Sequence, residues 1–323
     1  MEVSTGGEEV MEGLKNRSLL SLSDYTAKEI VYLIDLAIKL KEEKKRGVTS
    51  NRLTGKNIVL IFDKPSTRTR CATEVAAFDE GANVTYLTNS QMGKKESIED
   101  TARILGRYYD AILYRGSSQQ LVEDLHSFSG IPVYNGLTDI DHPTQVLADF
   151  MTAKEYLQKP FSAMKMVFVG DGRNNVANAL RIGAAKVGID FWISSPKELA
   201  PSESQWEEDP LKAVQGADII YTDVWFSMGE EAKIEERLRL LKRYQVGMEM
   251  IKAANNRDLI FLHCLPAFHD LHTAVGQEVY EKYGLQAMEV SDEVFRSSYS
   301  RVFDQGENRM HTIKALMVAT LGD

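Results

Sequence analysis

Short apolar runs with strand character alternate with helix-like segments along most of the chain, and this alternation restricts the fold more than any other feature. In the first half the strand-like runs cover residues 58–62, 83–87, 111–114 and 132–134. In the second half they cover residues 166–169, 191–193, 219–222 and 259–263. Strands that alternate with helices predict parallel sheets, so we expect an α/β fold with two doubly wound parallel-sheet domains and helices on both faces.

A helix-like segment at residues 142–157 stands between the two sets of strands, and 323 residues are enough for two domains of ordinary size. We expect the first domain at residues 1–145, completed by a C-terminal helix at 308–323. We expect the second domain at residues 146–307. The last helix carries apolar residues with helical spacing, so it is expected to pack back on the first domain.

Composition limits the partners and the location. The chain has 47 acidic and 38 basic residues and a net charge of −9, which argues against general binding to nucleic acid or anionic membranes. The two cysteines, Cys71 and Cys264, are far apart in sequence, as expected of free thiols in a reducing compartment. No apolar run approaches the length of a membrane span, and residues 1–16 are expected to be a mobile acidic lead without a targeting signal. We therefore expect a cytoplasmic protein.

The string Ser-Thr-Arg-Thr-Arg at residues 66–70 follows the first strand-like run and opens an alanine-rich, helix-like run. Ser66 is therefore a predicted helix N-cap. The first N–H groups of a helix are unpaired and its dipole is positive there, so an anion gains both donors and a favourable field. Two guanidiniums and three hydroxyls add the charge-assisted donors that suit phosphate oxygens. The alternative is a capped surface helix with two solvated arginines.

Two strings that contain histidine also indicate chemistry. His142 opens a helix with Gln145 one turn on, so the first side chain can donate to a carbonyl oxygen and the second can bond an amide. The alternative is an ordinary capped helix start. His263 and Cys264 end the last strand-like run. Neighbours on a strand point to opposite faces, so thiolate activation by this histidine and a covalent cysteine mechanism are disfavoured.

Further polar groups follow strands of the second half. Asp223 ends a strand-like run, where its carboxylate can hold an ammonium group or cap the next helix. The Ser-Met-Gly string at residues 227–229 can close over a substrate as a small flexible loop. The Gly-Asp-Gly string at residues 170–172 resembles a dinucleotide fingerprint, but the third glycine and the ribose-binding acid are missing, so nicotinamide binding is rejected. Ligands of open α/β sheets lie beyond the carboxyl ends of strands, which is where these groups come.

Taken together and in this order, the strings at residues 62–70, 142–145 and 263–266 resemble the transcarbamoylase family. Four further strings resemble its ornithine-specific branch, at residues 90–93, 223–229, 263–270 and 307–312. The likeness covers the chain from about residue 19 to residue 321. Two departures are an aspartate at position 63, where a glutamate is more usual, and an acidic stretch at residues 139–141.

The resemblance implies transfer of the carbamoyl group of carbamoyl phosphate to the δ-amine of L-ornithine, giving L-citrulline and phosphate, without cofactor or metal. It implies a carbamoyl phosphate site made of Ser66, Thr67, Arg68, Thr69, Gln91, Arg115, His142, Gln145, Cys264, Leu265 and Arg309. It implies an ornithine site made of Asn175, Asp223, Ser227 and Met228. The residues implied to take part in the chemistry are Arg68, Arg115, His142, Asp223, Cys264 and Arg309.

The resemblance also implies a direct attack in a cationic site, with His142 and Arg115 polarising the carbonyl oxygen. Ornithine arrives as an ammonium, and the group that accepts its proton stays open between Asp223, Cys264 and phosphate. Members of the family are trimers, so a homotrimer or a multiple of trimers is implied, with Gln91 reaching the carbamoyl phosphate of a neighbouring subunit.

Two alternatives remain open. The same reaction on aspartate, putrescine or an acylated ornithine is one, although Asp223 and the 227–229 loop favour an amino acid with a free α-ammonium. The other is a catalytically silent assembly subunit, which would be expected to have lost ligand residues that this chain retains. The sequence does not distinguish citrulline formation from citrulline phosphorolysis as the working direction.

Overall fold

The computed structural model describes residues 5–88, 90–226 and 234–322, and the chain divides into two compact units. Unit 1 comprises Met1–Met151 and Glu307–Asp323, and unit 2 comprises Thr152–Gly306. Over the described ranges, no helix combines the length and the apolar character that a membrane crossing requires.

Both divisions between the units fall inside helices. Helix α6 covers Pro143–Leu157 and helix α13 covers Val302–Leu321. The division expected after residue 145 therefore lies within the first turn of α6, because an apolar pattern marks a helix but not the point at which the helix passes from one core to another.

The sheet of unit 1 is parallel throughout, with the order β2-β1-β3-β4. Its strands are β1 at Asn57–Phe62, β2 at Asn83–Leu87, β3 at Ala111–Arg115 and β4 at Val133–Leu137. All four overlap the predicted runs. Central strand β1 reads as a continuous apolar run because both of its faces are covered.

The remaining helices of unit 1 pack around this sheet. They are α1 at Thr5–Leu14, α2 at Ala27–Lys45, α3 at Thr67–Asp79, α4 at Ile98–Tyr108 and α5 at Gln119–Ser129. On one face, Val59 and Ile112 of the sheet pack with Leu105 of α4 and Leu125 of α5. The expectation of a mobile lead at residues 1–16 is wrong over α1, because Leu14 is fully buried and its apolar side chain anchors this segment.

The sheet of unit 2 is also parallel, with the order β7-β6-β5-β8-β9. Its strands are β5 at Lys165–Val169, β6 at Asp190–Ser194, β7 at Gln205–Glu207, β8 at Ile219–Thr222 and β9 at Ile260–His263. The sequence patterns did not predict β7, because this three-residue edge strand contains no apolar run. The expected architecture of two parallel-sheet α/β domains is confirmed.

The helices of unit 2 complete its core. They are α7 at Asn175–Val187, α8 at Pro210–Ala213, α9 at Ile234–Leu241, α10 at Met248–Ala253, α11 at Ala274–Tyr283 and α12 at Asp292–Phe295. Val167 of β5, Ile220 of β8 and Phe261 of β9 pack with Leu241 of α9 and Ile251 of α10.

Each sheet has one point at which the strand order reverses. In unit 1 it lies between β1 and β3, and in unit 2 it lies between β5 and β8. The loops that leave two such strands turn to opposite faces of the sheet and open a crevice at their carboxyl ends, where ligands of this fold class bind. These two positions are therefore where the polar side chains of each unit should be sought.

The buried His311 of α13 makes the stability of the fold depend on pH. Burial lowers its pKa from 6.5 to about 4, although its Nε2 atom lies 3.3 Å from Oε1 of Glu307. Between pH 6.5 and pH 4 the unfolded chain binds a proton at His311 that the folded chain does not. The free energy of unfolding therefore decreases as the pH falls through this range.

We therefore expect His311→Gln to lose less stability than the parent protein on acidification. Glutamine keeps a donor for Glu307 but does not titrate, so between pH 7 and pH 4.5 the parent should lose roughly 2 kcal/mol more free energy of unfolding than the variant. Urea unfolding followed by circular dichroism at a series of pH values measures this. If the free energy of unfolding changed equally with pH in the two proteins, His311 would not be the group responsible. His272→Gln, at an exposed position, serves as the control.

Candidate active site

In unit 1, strand register brings the first group of predicted residues together. Phe62 of β1 pairs with Arg115 of β3, so the loop that follows β1 begins beside the Arg115 side chain. Ser66 is the N-cap of α3, and its hydroxyl accepts a hydrogen bond from the Thr69 N–H at 3.3 Å. This cap confirms the predicted helix start and turns the Thr69 side chain into the protein, where it is 1 % exposed.

The Thr69 hydroxyl is the meeting point of two guanidiniums. Its Oγ1 atom accepts from Nη2 of Arg309 at 3.0 Å and lies 3.5 Å from Nη1 of Arg115. Arg309 is buried on α13 and also donates from Nη1 to Oε1 of Gln145 at 2.6 Å. Because two donors are directed at the Thr69 oxygen, its own O–H is available to donate to an anion. The four residues form a cationic, donor-rich cluster.

His142 lies buried at the start of α6, and its electrostatic surroundings keep it neutral. Burial lowers the pKa of its imidazole well below the usual value, and the positive charges of Arg309, Arg115 and Arg68 lower it further. The hydroxyl of Thr144 lies 3.4 Å from Nδ1. With Nδ1 accepting from this hydroxyl, Nε2 carries the single proton and can donate it to a ligand.

Gln145 is held by two neighbours, one on each side of its amide. Besides accepting from Arg309, it donates from Nε2 to Oδ1 of Asp149 at 2.8 Å. An amide group has two N–H bonds and two lone pairs, so these contacts fix the plane of the group and leave capacity for a ligand.

The two arginines of the 66–70 string have different environments. Arg68 is half-buried and close enough to His142 to affect its pKa. Arg70 is exposed, bonds Oε1 of Glu74 at 2.9 Å and lies 3.8 Å above the ring of Tyr86. Positions 68 and 70 are about 200° apart around a helix, so only one of the two faces the cluster. Ser66 is half-buried and Thr67 is exposed at the first turn of α3.

Gln91 lies apart from these contacts, on a tight turn after β2. Its carbonyl oxygen accepts from the N–H groups of Lys94 and Lys95 at 2.9 and 3.0 Å, and its side chain is exposed. The turn fixes the backbone of Gln91 through hydrogen bonds to its carbonyl oxygen and not to its side-chain amide. The predicted contact of this amide with a neighbouring subunit's ligand stays a prediction.

Gly116, directly after Arg115, is required by close packing. A Cβ atom there would lie 1.9 Å from the Tyr114 hydroxyl and 2.7 Å from Oδ2 of Asp63, two groups that share a hydrogen bond of 2.6 Å. We therefore expect Gly116→Ala to displace the loop after β1, lowering the free energy of unfolding by about 2 kcal/mol and weakening phosphate binding.

Thermal unfolding and calorimetric titration with inorganic phosphate measure these two effects. The matched control is Gly306→Ala in α13, where an added Cβ meets nothing within 4 Å and should stabilise the helix slightly. If Gly116→Ala matches the parent in both measurements, the packing argument is wrong.

In unit 2, the second group of predicted residues also follows paired strands. Thr222 of β8 pairs with His263 of β9, so the next residues, Asp223 and Cys264, lie side by side. Cys264 donates from Sγ to Oδ1 of Asp223 at 3.1 Å. On the other side, Nδ2 of Asn174 donates to Oδ2 of Asp223 at 3.0 Å. Asn175 begins α7 with its side chain half-buried, next to this contact.

His263 and Glu289 hold the segment that follows β9. The Leu265 N–H donates to Nδ1 of His263 at 2.9 Å, so the imidazole proton lies on Nε2, which faces Oε1 of Glu289 at 3.2 Å. The same carboxylate oxygen accepts from the Phe268 N–H at 2.7 Å. Leu265 has a φ of +59°, a strained conformation for a leucine, and these contacts offset the strain.

The donor set argues against a metal at this point. Ligand atoms of Asp223, His263 and Cys264 lie within 4.8 Å of one another. Both nitrogens of His263 are engaged, however, one as acceptor from Leu265 and one as donor to Glu289, so the imidazole offers no lone pair to a cation. A metal-free site remains our prediction. The predicted ligands Ser227 and Met228 lie outside the described residues.

Sequence reasoning missed two residues of this region. Asn174, not only its neighbour Asn175, contacts Asp223, and the signal was the N-cap preference for asparagine at a strand–turn–helix junction. Glu289 contacts His263 across 26 positions of sequence, and no local sequence pattern predicts such a contact.

The chain is similar to known proteins over nearly its whole length. The family described as aspartate/ornithine carbamoyltransferase, carbamoyl-P binding domain, matches residues 17–155, and the Asp/Orn binding domain of the same family matches residues 162–320. The catabolic ornithine carbamoyltransferase of Bacillus licheniformis is 57% identical over 328 aligned positions, covering 96% of this chain and 98% of that protein. The catabolic ornithine carbamoyltransferase 1 of Streptococcus agalactiae is 55% identical, covering 97% of this chain and all of that protein.

Among solved structures, the ornithine carbamoyltransferase of Pyrococcus furiosus superposes with a TM-score of 0.85 at 41% identity, covering 95% of this chain and 98% of that one. The enzyme of Thermus thermophilus superposes with a TM-score of 0.79 at 36% identity, with 93% and 97% covered. Since the family matches nearly the whole chain and relatives above half identity span it, this protein belongs to the aspartate/ornithine carbamoyltransferase family.

Proposed function

We propose that this protein is an ornithine carbamoyltransferase, which transfers the carbamoyl group of carbamoyl phosphate to the δ-amine of L-ornithine and releases L-citrulline and phosphate. The observation that carries the proposal is the cluster in which Arg309 and Arg115 meet at Thr69 beside a neutral, buried His142. The names of the Bacillus licheniformis and Pyrococcus furiosus relatives support the choice of ornithine.

Unit 1 binds carbamoyl phosphate in this proposal. The N-terminal turn of α3 offers its unpaired N–H groups and the hydroxyls of Ser66, Thr67 and Thr69 to the phosphate oxygens. Arg68, Arg115 and Arg309 supply the positive charge. Arg309 is preorganised by its hydrogen bonds to Thr69 and Gln145, and Arg115 lies 3.5 Å from Thr69, so little reorganisation of these two guanidiniums accompanies binding.

The carbonyl oxygen of the carbamoyl group gains negative charge as the amine attacks. His142 donates a hydrogen bond from Nε2 to this oxygen, and the positive charge of Arg115 stabilises the negative charge that develops there. A neutral imidazole suits this role because it remains a hydrogen-bond donor over the whole physiological pH range without releasing its proton. Gln145, together with Cys264 and Leu265, is the proposed set of contacts for the carbamoyl amide.

Unit 2 binds L-ornithine in this proposal. The carboxylate of Asp223 pairs with the α-ammonium, and Asn175, Ser227 and Met228 complete the recognition of the α-groups. Free thiols at Cys71 and Cys264 support a reducing, cytosolic setting. The δ-ammonium first loses a proton to give the neutral amine. The amine then attacks the carbamoyl carbon, the new C–N bond forms, the C–O bond to phosphate breaks, and the nitrogen loses a second proton. The phosphate group, Asp223 and Cys264 are the candidate acceptors of these protons.

Citrulline formation by the purified protein tests the proposal. Carbamoyl phosphate is supplied with L-ornithine, putrescine, L-aspartate or Nα-acetyl-L-ornithine in parallel. Activity on ornithine alone is expected, because Nα-acetyl-L-ornithine lacks the free α-ammonium that would pair with Asp223, putrescine lacks the α-carboxylate, and L-aspartate lacks a side-chain amine. Activity on another amine would overturn the amine assignment, and inactivity on all four would favour a silent assembly subunit.

The same assay run in reverse tests whether the protein works towards citrulline formation or citrulline phosphorolysis. The Bacillus licheniformis and Streptococcus agalactiae relatives are named catabolic, and we extend that role to this chain. Phosphorolysis of L-citrulline with inorganic phosphate should then be measurable. A rate below detection while the forward rate is high would refute a catabolic role.

We further propose a homotrimer in which Gln91 contacts carbamoyl phosphate bound by a neighbouring subunit. The exposed side chains of Val75 and Phe78 on α3 give unit 1 an apolar surface that supports assembly.

Subunit mixing tests the contribution of Gln91. We expect Gln91→Ala and Arg309→Met each to be nearly inactive, and random mixing of equal amounts after dissociation to restore about a quarter of the sites. Sedimentation measures the assembly in parallel. Mixed assemblies with no more activity than the separate variants would refute a shared site.

A further inference from the structure

Asn174 uses both ends of its side-chain amide, and each end has a different kind of partner. Its oxygen accepts from the N–H groups of Val176 and Ala177 at 2.7 and 3.3 Å, which makes it the N-cap of α7. Its nitrogen donates to Oδ2 of Asp223 at 3.0 Å. The residue therefore ties the first turn of one helix to the carboxylate that follows a neighbouring strand, across the point where the strand order of unit 2 reverses.

The other contacts of Asp223 show how the hydrogen bond from Asn174 affects the orientation of the carboxylate. Oδ1 accepts from Sγ of Cys264 at 3.1 Å and from the N–H of Val224 at 2.8 Å, and Oδ2 accepts from Asn174. A carboxylate has about four lone-pair directions, and within the described residues three of them are used. Contacts to both oxygens fix the rotation of the carboxylate about its own axis. The remaining direction, on Oδ2, is therefore fixed as well.

We propose that Asn174 is a positioning residue, which orients Asp223 so that one lone pair of Oδ2 is kept for the α-ammonium of the amino-acid substrate. This inference rests on the proposed function, because it assumes that Asp223 receives that ammonium. Asn174 acts through Asp223 and need not touch the substrate.

The identity of the side chain supports the proposal over a purely structural role. As helix N-caps, asparagine, aspartate and serine are nearly equivalent, so capping of α7 alone does not require an amide. Of the three, only asparagine combines an acceptor for the helix with a donor of the right length for Asp223. Aspartate at this position would place a second carboxylate about 3 Å from the first, and serine would be too short to bridge the gap.

Two variants separate positioning from capping. Asn174→Asp and Asn174→Ser both keep the cap, so their melting temperatures should stay within a few degrees of the parent. We expect the KM for L-ornithine to rise about 100-fold in Asn174→Asp and about 10-fold in Asn174→Ser, with the KM for carbamoyl phosphate nearly unchanged. Parent-like ornithine KM values in both variants would overturn the proposal.

A double-mutant cycle tests whether Asn174 acts through Asp223. In an Asp223→Asn background, Asn174→Ser should cause no further loss of kcat/KM for ornithine, because the carboxylate that it positions is gone. If the two losses multiply, Asn174 acts independently of Asp223 and the proposal is wrong.

A binding measurement provides a readout that does not depend on catalysis. L-norvaline has the α-groups and carbon chain of ornithine but lacks the δ-amine, and its affinity is measured by calorimetry with saturating inorganic phosphate present. We expect the dissociation constant to rise in both Asn174 variants by the same factors as the ornithine KM. Unchanged norvaline affinity would refute the positioning role.

These outcomes are distinguishable from failure of the proposed function. A parent protein that makes no citrulline from ornithine would refute the function itself. A parent protein that makes citrulline, together with variants that match it, would refute only the role of Asn174.

Discussion

We expect replacement of Arg309 by methionine to lower kcat/KM for carbamoyl phosphate by about 10³- to 10⁴-fold. In subtilisin, loss of one preorganised donor to a developing oxyanion costs about 10²- to 10³-fold, and this side chain also carries a full charge in a buried position. It holds Thr69 and Gln145 through hydrogen bonds of 3.0 and 2.6 Å, so its removal also releases two residues proposed to contact the ligand.

Steady-state kinetics with ornithine saturating measure the loss. Arg309→Lys should recover little of it, because an ammonium cannot bond Thr69 and Gln145 at once as the forked guanidinium does. Arg243→Met, at an exposed arginine of unit 2, controls for the loss of one positive charge and should change kcat/KM less than twofold. A loss below about tenfold in a folded Arg309→Met protein would show that the cluster does not bind the phosphate.

We expect replacement of Asp223 by asparagine to lower kcat/KM for L-ornithine by about 10³-fold and to leave the KM for carbamoyl phosphate within about threefold. The variant has the same shape but no charge for the α-ammonium, and an ion pair in a buried site is worth about 3–5 kcal/mol when one partner is removed. Its amide would also direct N–H bonds towards Asn174 or Cys264, which are donors to Asp223 in the parent protein.

Steady-state kinetics with each substrate varied in turn give kcat/KM for L-ornithine and the KM for carbamoyl phosphate separately. Asp258→Asn is the matched control, since this exposed aspartate of unit 2 pairs only weakly with Arg257 and should have no kinetic effect. Thermal unfolding identifies any general damage. If the loss falls equally on both substrates in a stable protein, Asp223 serves the chemical step or the structure and does not select the amine.

The overall fold followed from patterns that are local in sequence. Apolar runs of three to five residues predicted eight of the nine strands in the described residues, and five of those eight are central strands that are covered on both faces. The strand that was missed, β7, consists of Gln205, Trp206 and Glu207 at a sheet edge and has no apolar run. The cap at Ser66 was predictable because an N-cap is a contact within four residues.

The contacts that give the candidate site its chemistry are not local. Arg309 meets Thr69 across 240 positions and Gln145 across 164, and the residue itself could be named only from the family resemblance. Which of two adjacent asparagines reaches Asp223 depends on the rotation of the first turn of α7, and sequence does not encode that rotation visibly. The pKa of His142 is lowered first by its burial and then by three arginines from one strand and two helices, so only the assembled structure shows the shift.

Unit 1 is built from two segments of chain, with the whole of unit 2 inserted between them. During synthesis the ribosome therefore completes all the residues of unit 2 before it adds those from Glu307 onward that supply Arg309. If Arg309 binds phosphate as proposed, a nascent chain that has already formed the four-stranded sheet still lacks a complete phosphate site until translation is nearly finished. We therefore expect fragments released by premature termination to be inactive in carbamoyl transfer.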